Sequence, residues 1–241
     1  MILEIDAGNT FIKWRYRVDT GATGMAGRWL TREFSAESLG DCTERPRQVL
    51  AGSVAGVAFE HTLSQAVESA WGLPVRFART AVTTAGVSNS YVDPSRMGVD
   101  RWLVMLAAWQ RYHQACCIVD CGSAITVDLL DAGGRHEGGY ILPGLRLMRE
   151  VLTGSTAGIL VDRDIHDFSL DPGADTSTAV AHGTNLLFSA LAQHVPPWLQ
   201  GQQAERRLLV TGGDGELFCK LAGQGEWVPD LVLDGLRWAL E

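Results

Sequence analysis

The 241 residues carry 20 Lys and Arg against 28 Asp and Glu, a balance of 20 − 28 = −8 with a pI near 5.2, so the chain lacks the basic footprint of a nucleic-acid binder. Apolar residues make up 46% and charged ones 20%, which suits one large core or two smaller ones and excludes a disordered or low-complexity chain. The apolar run 114–126 is broken by Asp120 and falls short of the roughly twenty residues of a bilayer span, and Met1-Ile2-Leu3-Glu4-Ile5-Asp6 has no basic stretch before its apolar residues, so neither a membrane span nor an export signal is expected.

In chain order, apolar periodicity predicts strands near 1–5, 13–17 and 48–52, helices over 61–70 and 99–113, and strands near 116–119 and 125–131. A helix over 177–193, a strand near 208–210 and a helix over 215–221 complete the pattern of an α/β chain. One motif occurs twice. Ile5-Asp6-Ala7-Gly8-Asn9-Thr10 and Val119-Asp120-Cys121-Gly122-Ser123-Ala124 both read as a strand ending in Asp-x-Gly with a small polar pair, 120 − 6 = 114 residues apart. An apolar strand precedes and follows each acid, so each copy reads as a hairpin with the acid at its turn. Two halves of similar fold are expected, 1–114 and 115–241, closely apposed because no Pro, Gly or Ser linker parts them.

A glycine turn between strands frees backbone N–H groups for phosphate oxygens, and Gly8, Asn9 and Thr10 supply such a turn, with Lys13 adding charge. Asp6 can hold Mg²⁺ through water, and Asp120 suits a hard cation. Taken alone, each motif is equally an Asx-type turn. The segment 91–101 runs from an extended loop into the long helix, and Arg101 at the helix start can fork onto a carboxylate or phosphate. Asp100 is either the base for an attacking alcohol or an acid that merely stabilises the helix terminus. Gly138-Gly139-Tyr140-Ile141-Leu142-Pro143-Gly144 and Val210-Thr211-Gly212-Gly213-Asp214-Gly215 bring backbone close to a ligand or are ordinary turns, and GxxxxGK[ST] is absent. Five cysteines without CxxC spacing fit reduced thiols in a cytoplasm, and six histidines without metal-ligand spacing give no sign of zinc. Trp102 and Trp109, with Leu106 between them, form a helix stripe for a core or a subunit interface.

Together, Asp6-Ala7-Gly8-Asn9-Thr10 with Lys13, Tyr91 to Gly98-Val99-Asp100-Arg101, Asp120-Cys121-Gly122-Ser123-Ala124 and the 138–144 segment resemble the ordered motifs of type III pantothenate kinases. These are members of the acetate and sugar kinase, Hsp70 and actin superfamily. The resemblance implies two actin/Hsp70-like (ribonuclease H-like) domains with a cleft between them. It implies a cytoplasmic homodimer that phosphorylates pantothenate with ATP, Mg²⁺ and a monovalent cation, K⁺ or NH4⁺, towards coenzyme A. By the same resemblance, Asp6, Ala7, Gly8, Asn9, Thr10, Phe11, Ile12 and Lys13 form the first phosphate loop, Ser123 touches ATP, Asp100 is the general base and Asp120 binds the monovalent cation. Tyr91, Gly98, Val99, Asp100 and Arg101 bind pantothenate, joined by Thr176 from the other subunit, with Thr178 as the competing register. Ser123 departs from the family's usual Thr. Two other functions fit the motifs: an ATP-driven module, against which Asp100 and Arg101 argue, and a kinase for another small hydroxy acid or sugar.

Overall fold

The computed structural model describes residues 1–18, 23–156, 158–200 and 204–241. Strands β1 (Ile2–Ala7), β2 (Phe11–Arg17), β3 (Thr23–Leu30) and β4 (Gln48–Ser53) lead into helix α1 (Val57–Trp71), then β5 (Val75–Phe77), β6 (Thr83–Thr84), β7 (Val87–Ser88) and helix α2 (Val99–Tyr112). There follow β8 (Cys116–Cys121), β9 (Ala124–Leu130), β10 (His136–Pro143), α3 (Leu145–Ser155), α4 (Thr176–Leu199), β11 (Arg207–Thr211), α5 (Gly215–Ala222), β12 (Glu226–Trp227) and α6 (Leu231–Leu240). Among the described residues no helix is long and apolar enough to cross a membrane.

Two compact units result, one of Met1–His113, Gly134–His136 and Asp230–Glu241, the other of Gln114–Gly133 and Glu137–Pro229. Each contains the same sheet, in the order β3-β2-β1-β4-β5 and β10-β9-β8-β11-β12. In each, the central strand pairs antiparallel with the strand that follows it and parallel with the one across the crossover. β1 and β8 are paired on both sides and buried along their length except at one half-buried residue, Asp6 in β1 and Asp120 in β8. Strands in that position read as continuous apolar runs, which is why an acid stands out in each. The duplicated motif of the sequence is therefore a duplicated fold. Both acids lie in the ladder, Asp6 opposite Lys13 and Asp120 opposite Thr126, one pair short of the turn.

All ten expected elements are present. Helix α1 buries Leu63, Ala66 and Val67 on one face and ends at Gly72 in the left-handed region, as a helix stop does. Helix α2 is buried on almost every side, with Trp102 fully enclosed and the Trp109 indole packed against Gly86 and Gly134, so the tryptophan stripe belongs to the core of the first unit. Among the elements outside the periodicity are β3, α3 and α6. Strand β3 contains Gly27, where a Cβ would stand 2.7 Å from the Trp14 ring, itself stacked on Trp29 at 5.3 Å. Helix α3 buries none of its residues. In α6 a glycine, normally unfavourable in a helix, stands mid-helix because a Cβ on Gly235 would lie 2.2 Å from the Leu103 carbonyl oxygen of α2. That close packing seats α6 in the first unit, whereas a division after residue 114 assigns it to the second.

Charge also holds α6. Glu4 of β1 is fully buried, accepting from Arg15 Nε at 2.8 Å and Arg17 Nε at 2.5 Å, while Arg15 also meets Asp234 at 2.8 Å and Arg17 meets Glu241 at 2.7 Å. Burial alone lowers the pKa of each guanidinium, but these carboxylates outweigh it and hold both above the usual arginine value. A buried charge that loses its partner costs about 3–5 kcal/mol. Glu4→Gln should therefore lower the unfolding free energy by about that amount in urea titration, and a loss under about 1 kcal/mol would show that the network is only peripheral.

Candidate active site

The turn after β1 is built from the backbone. Ala7 pairs with Ile12, the Gly8 N–H donates to the Phe11 carbonyl at 3.0 Å, and the loop between them spans 8–11. A residue with no sequence signal braces it. Thr31, just past β3, donates its hydroxyl to the Gly8 carbonyl at 2.7 Å and its N–H to the Thr10 carbonyl at 3.0 Å. Two of the loop's carbonyls are thus fixed towards β3 by one residue. Asn9 is exposed, and Asp6, Thr10 and Lys13 are half-buried, with Asp6 and Lys13 facing each other across the ladder.

The second group opens α2. Asp100 folds back over the helix start so that its Oδ1 accepts the Arg101 N–H at 2.8 Å. Gly98 makes room for it, because a Cβ there would stand 2.4 Å from Oδ1. Arg101 is 4% exposed, and its Nη1 donates to the Tyr91 hydroxyl at 2.7 Å. Val99 is buried behind them. The two groups are close neighbours in this unit: the Val54 N–H donates to the Ala7 carbonyl at 3.0 Å, and Val54 Cγ1 lies 4.0 Å from the Cβ position of Gly98.

In the second unit the turn between β8 and β9 is one residue shorter, with Cys121 opposite Ile125 and the Gly122 N–H donating to the Ala124 carbonyl at 3.0 Å. Gly144 donates to the Ser123 carbonyl at 3.0 Å, and a Cβ on Gly144 would overlap the Gly122 carbonyl. Gly212, at φ +87°, would bring a Cβ within 2.6 Å of Asp120 Oδ1, so glycine here keeps the space beside that carboxylate open. Asp214, at the start of α5, donates its N–H to the Cys121 carbonyl, and burial raises its carboxyl pKa while Arg149 opposes the rise. The structure thus gathers Asp120, Ser123 and the 210–215 strand end at one place.

Thr176 stands away from that cluster. It is the exposed first residue of α4, at a groove of about 620 Å³ lined by Leu152, Ile159 and Ala179 among others. Thr178 is committed to the helix: its N–H donates to Asp175 Oδ1 at 2.9 Å, and its hydroxyl accepts the Asp175 N–H at 3.2 Å. A second pocket of about 630 Å³ is lined by both Ser177 and Asp214, with Arg149 in its wall.

Among the described residues no three His, Cys, Asp or Glu side chains cluster, so a divalent ion has no all-protein cage there. One carboxylate beside a glycine turn, as at Asp6, fits Mg²⁺ that arrives with phosphate and keeps its waters. Asp120, half-buried near the end of β8, has the hard oxygen donors that a cation takes.

Residues 2–196 match the family model described as type III pantothenate kinase. The type III pantothenate kinase of Marinobacter nauticus is 39% identical over 239 residues, covering 98% of this chain and 97% of the relative, and that of Halorhodospira halophila is 38% identical over 256 residues, covering 99% and 98%. The chain belongs to the type III pantothenate kinase family. Among solved structures, a protein described as a 2-dehydro-3-deoxygalactonokinase from Sinorhizobium meliloti superposes with a TM-score of 0.61 at 11% identity, covering 99% of this chain and 98% of that one. A Campylobacter jejuni protein described as a Baf family transcriptional activator gives 0.59 at 19%, covering 98% and 95%. These likenesses bear on fold alone, the two-domain fold of the sugar kinase, Hsp70 and actin superfamily.

For a type III pantothenate kinase, the sequence motifs omit Thr31, Arg149 and His136, whose partners lie far along the chain. Gly98 gives the direct test of this geometry. Gly98→Ala should push the Asp100 carboxylate aside and cut kcat on the order of 10²-fold while the melting temperature hardly moves, since φ −56° suits alanine. Unchanged turnover in steady-state assays would mean that the carboxylate position is immaterial.

Proposed function

We propose that the chain phosphorylates the primary hydroxyl of pantothenate with ATP to give 4'-phosphopantothenate, the opening step of coenzyme A synthesis, with Asp100 as general base. The observation that carries this reading is the opening of α2, where a carboxylate and a buried guanidinium with its tyrosine partner stand one turn of chain from the β1–β2 loop. Asp100 takes the hydroxyl proton as the oxygen attacks the γ-phosphorus and ADP leaves, a reaction governed by positioning and charge neutralisation. Asp6, Ala7, Gly8, Asn9, Thr10, Phe11, Ile12 and Lys13 receive phosphate, and Ser123 touches ATP. Arg101 and Tyr91, on the turn 98–101, orient the substrate carboxylate or its polar arm.

Bound Mg²⁺, water-linked to Asp6, would offset phosphate charge, and K⁺ or NH4⁺ would sit by Asp120. Thr176 contacts the substrate with its own hydroxyl across a dimer. This choice over Thr178 is supported by the capping box that occupies Thr178. The homodimer itself is supported by an exposed apolar face on α3 and α4, where Leu147, Val151, Leu152, Leu186 and Leu187 are 37–61% exposed. A cytoplasmic enzyme without nucleic-acid or membrane partners is consistent with the acidic chain and its reduced thiols.

ADP release measured with and without pantothenate tests the whole reading: pantothenate-dependent turnover is expected, and hydrolysis indifferent to pantothenate would point to an ATP-driven module. Asp100→Asn should lower kcat by about 10²–10⁴-fold with ATP affinity retained. Asp120→Asn should weaken activation in a K⁺ titration, because a neutral amide is a poorer cation ligand, and an unchanged titration would reject that role.

A further inference from the structure

His136 is a titratable ring with no exposed surface, and nothing in the reaction outlined above uses it. Such a group is buried only with polar compensation, and its Nδ1 lies 2.9 Å from Ser90 Oγ. Its ring faces that of Tyr91, with centroids 6.1 Å apart and planes 31° from parallel. Tyr91 is held at two further points: its N–H donates to Asn89 Oδ1 at 2.9 Å, and its hydroxyl accepts from Arg101 Nη1 at 2.7 Å, with the guanidinium carbon 5.6 Å from the ring centroid. Ser90, His136, Tyr91 and Arg101 thus form one contiguous chain of contacts ending beside Asp100.

The backbone delivers His136 to this place in a fixed register. The Ser88 N–H donates to the Gly134 carbonyl at 3.0 Å and Ser88 bridges Arg135, while Gly134, at φ +80°, lies so close to the Gly86 carbonyl that a Cβ would overlap it. A tyrosine side chain turns about two torsions: the first carries the hydroxyl away from Arg101, the second turns the ring face away from the guanidinium, and a ring packed against it restrains both. We propose that His136, oriented by Ser90, is a positioning residue for substrate binding: it sets the plane of Tyr91 and through it the direction of the Arg101 guanidinium. This rests on the reading of Tyr91 and Arg101 as the substrate turn.

The test is a double-mutant cycle in the full-length enzyme, with pantothenate and ATP varied separately. His136→Ala should raise the pantothenate KM on the order of tenfold and leave the ATP KM within about twofold, and in a Tyr91→Ala background the same change should have almost no further effect. His136→Phe, which keeps a ring against Tyr91, should recover part of the loss. Multiplying effects of the two alanine substitutions, or an unmoved pantothenate KM in His136→Ala while Tyr91→Ala raises it, overturns the positioning role and leaves the substrate turn intact. An unmoved KM in Tyr91→Ala itself overturns the substrate turn and the proposal together. If His136→Ala does not fold, Ser90→Ala, which removes only a hydroxyl, takes its place in the cycle and is read in the same way.

Discussion

A carboxylate can sit at the end of an otherwise buried strand only where the chain leaves the core within a residue or two. Both sheets meet that constraint in the same manner. The central strand is buried up to its acid, one further small residue is paired, and a glycine begins the turn. The acid is thereby held by the ladder, with the rigidity of a strand, while its oxygens remain near solvent. The glycine turn supplies the other half of the arrangement, since its amides are not all consumed by the ladder. Everything else in each unit braces these two turns: Thr31 behind the first, Gly144 and Gly212 against the second.

The two turns are related but unequal. The first loop has one more residue than the second, and a lysine lies opposite its acid where the second has a threonine. Extra loop backbone and a positive charge distinguish the first turn, whereas the shorter second turn has the Gly212 backbone packed close to its acid. In the first unit the strand carrying Asp6 also carries Glu4, and the helix that closes over Glu4 is the last in the chain. The strand that leads into the first turn is therefore held by residues more than 200 positions away, Asp234 and Glu241.

How much of this was legible in the sequence follows from how local each feature is. Asp-x-Gly at a strand end is local backbone chemistry, so both turns, their strands and the acid at α2 could be read directly. Strand β3 could not, because Gly24 and Gly27 break its alternation, and the need for Gly27 lies in the Trp14 ring across the ladder. Helix α6 hides behind Gly235 for the same kind of reason, a contact with Leu103 that no periodicity encodes. Thr31 and His136 are ordinary residues by spacing and acquire meaning only from partners 23 and 46 residues away. Spacing does not separate Thr176 from Thr178 either, because the capping box that engages Thr178 depends on where α4 begins.

The placing of Asp100 and Arg101 on α2 has an evolutionary consequence. This helix is enclosed on nearly all sides, so most of its positions tolerate little change without loss of packing. Lineages of this enzyme that meet different pantothenate supplies have little freedom to retune affinity through the helix that bears the chemistry. Variation would be expected to accumulate in the half-exposed loop that precedes it, where Asp93, Ser95 and Arg96 bear little core packing. Asp100 and Arg101 are thus shielded from drift by the packing of their helix, and change is displaced to the loop before it.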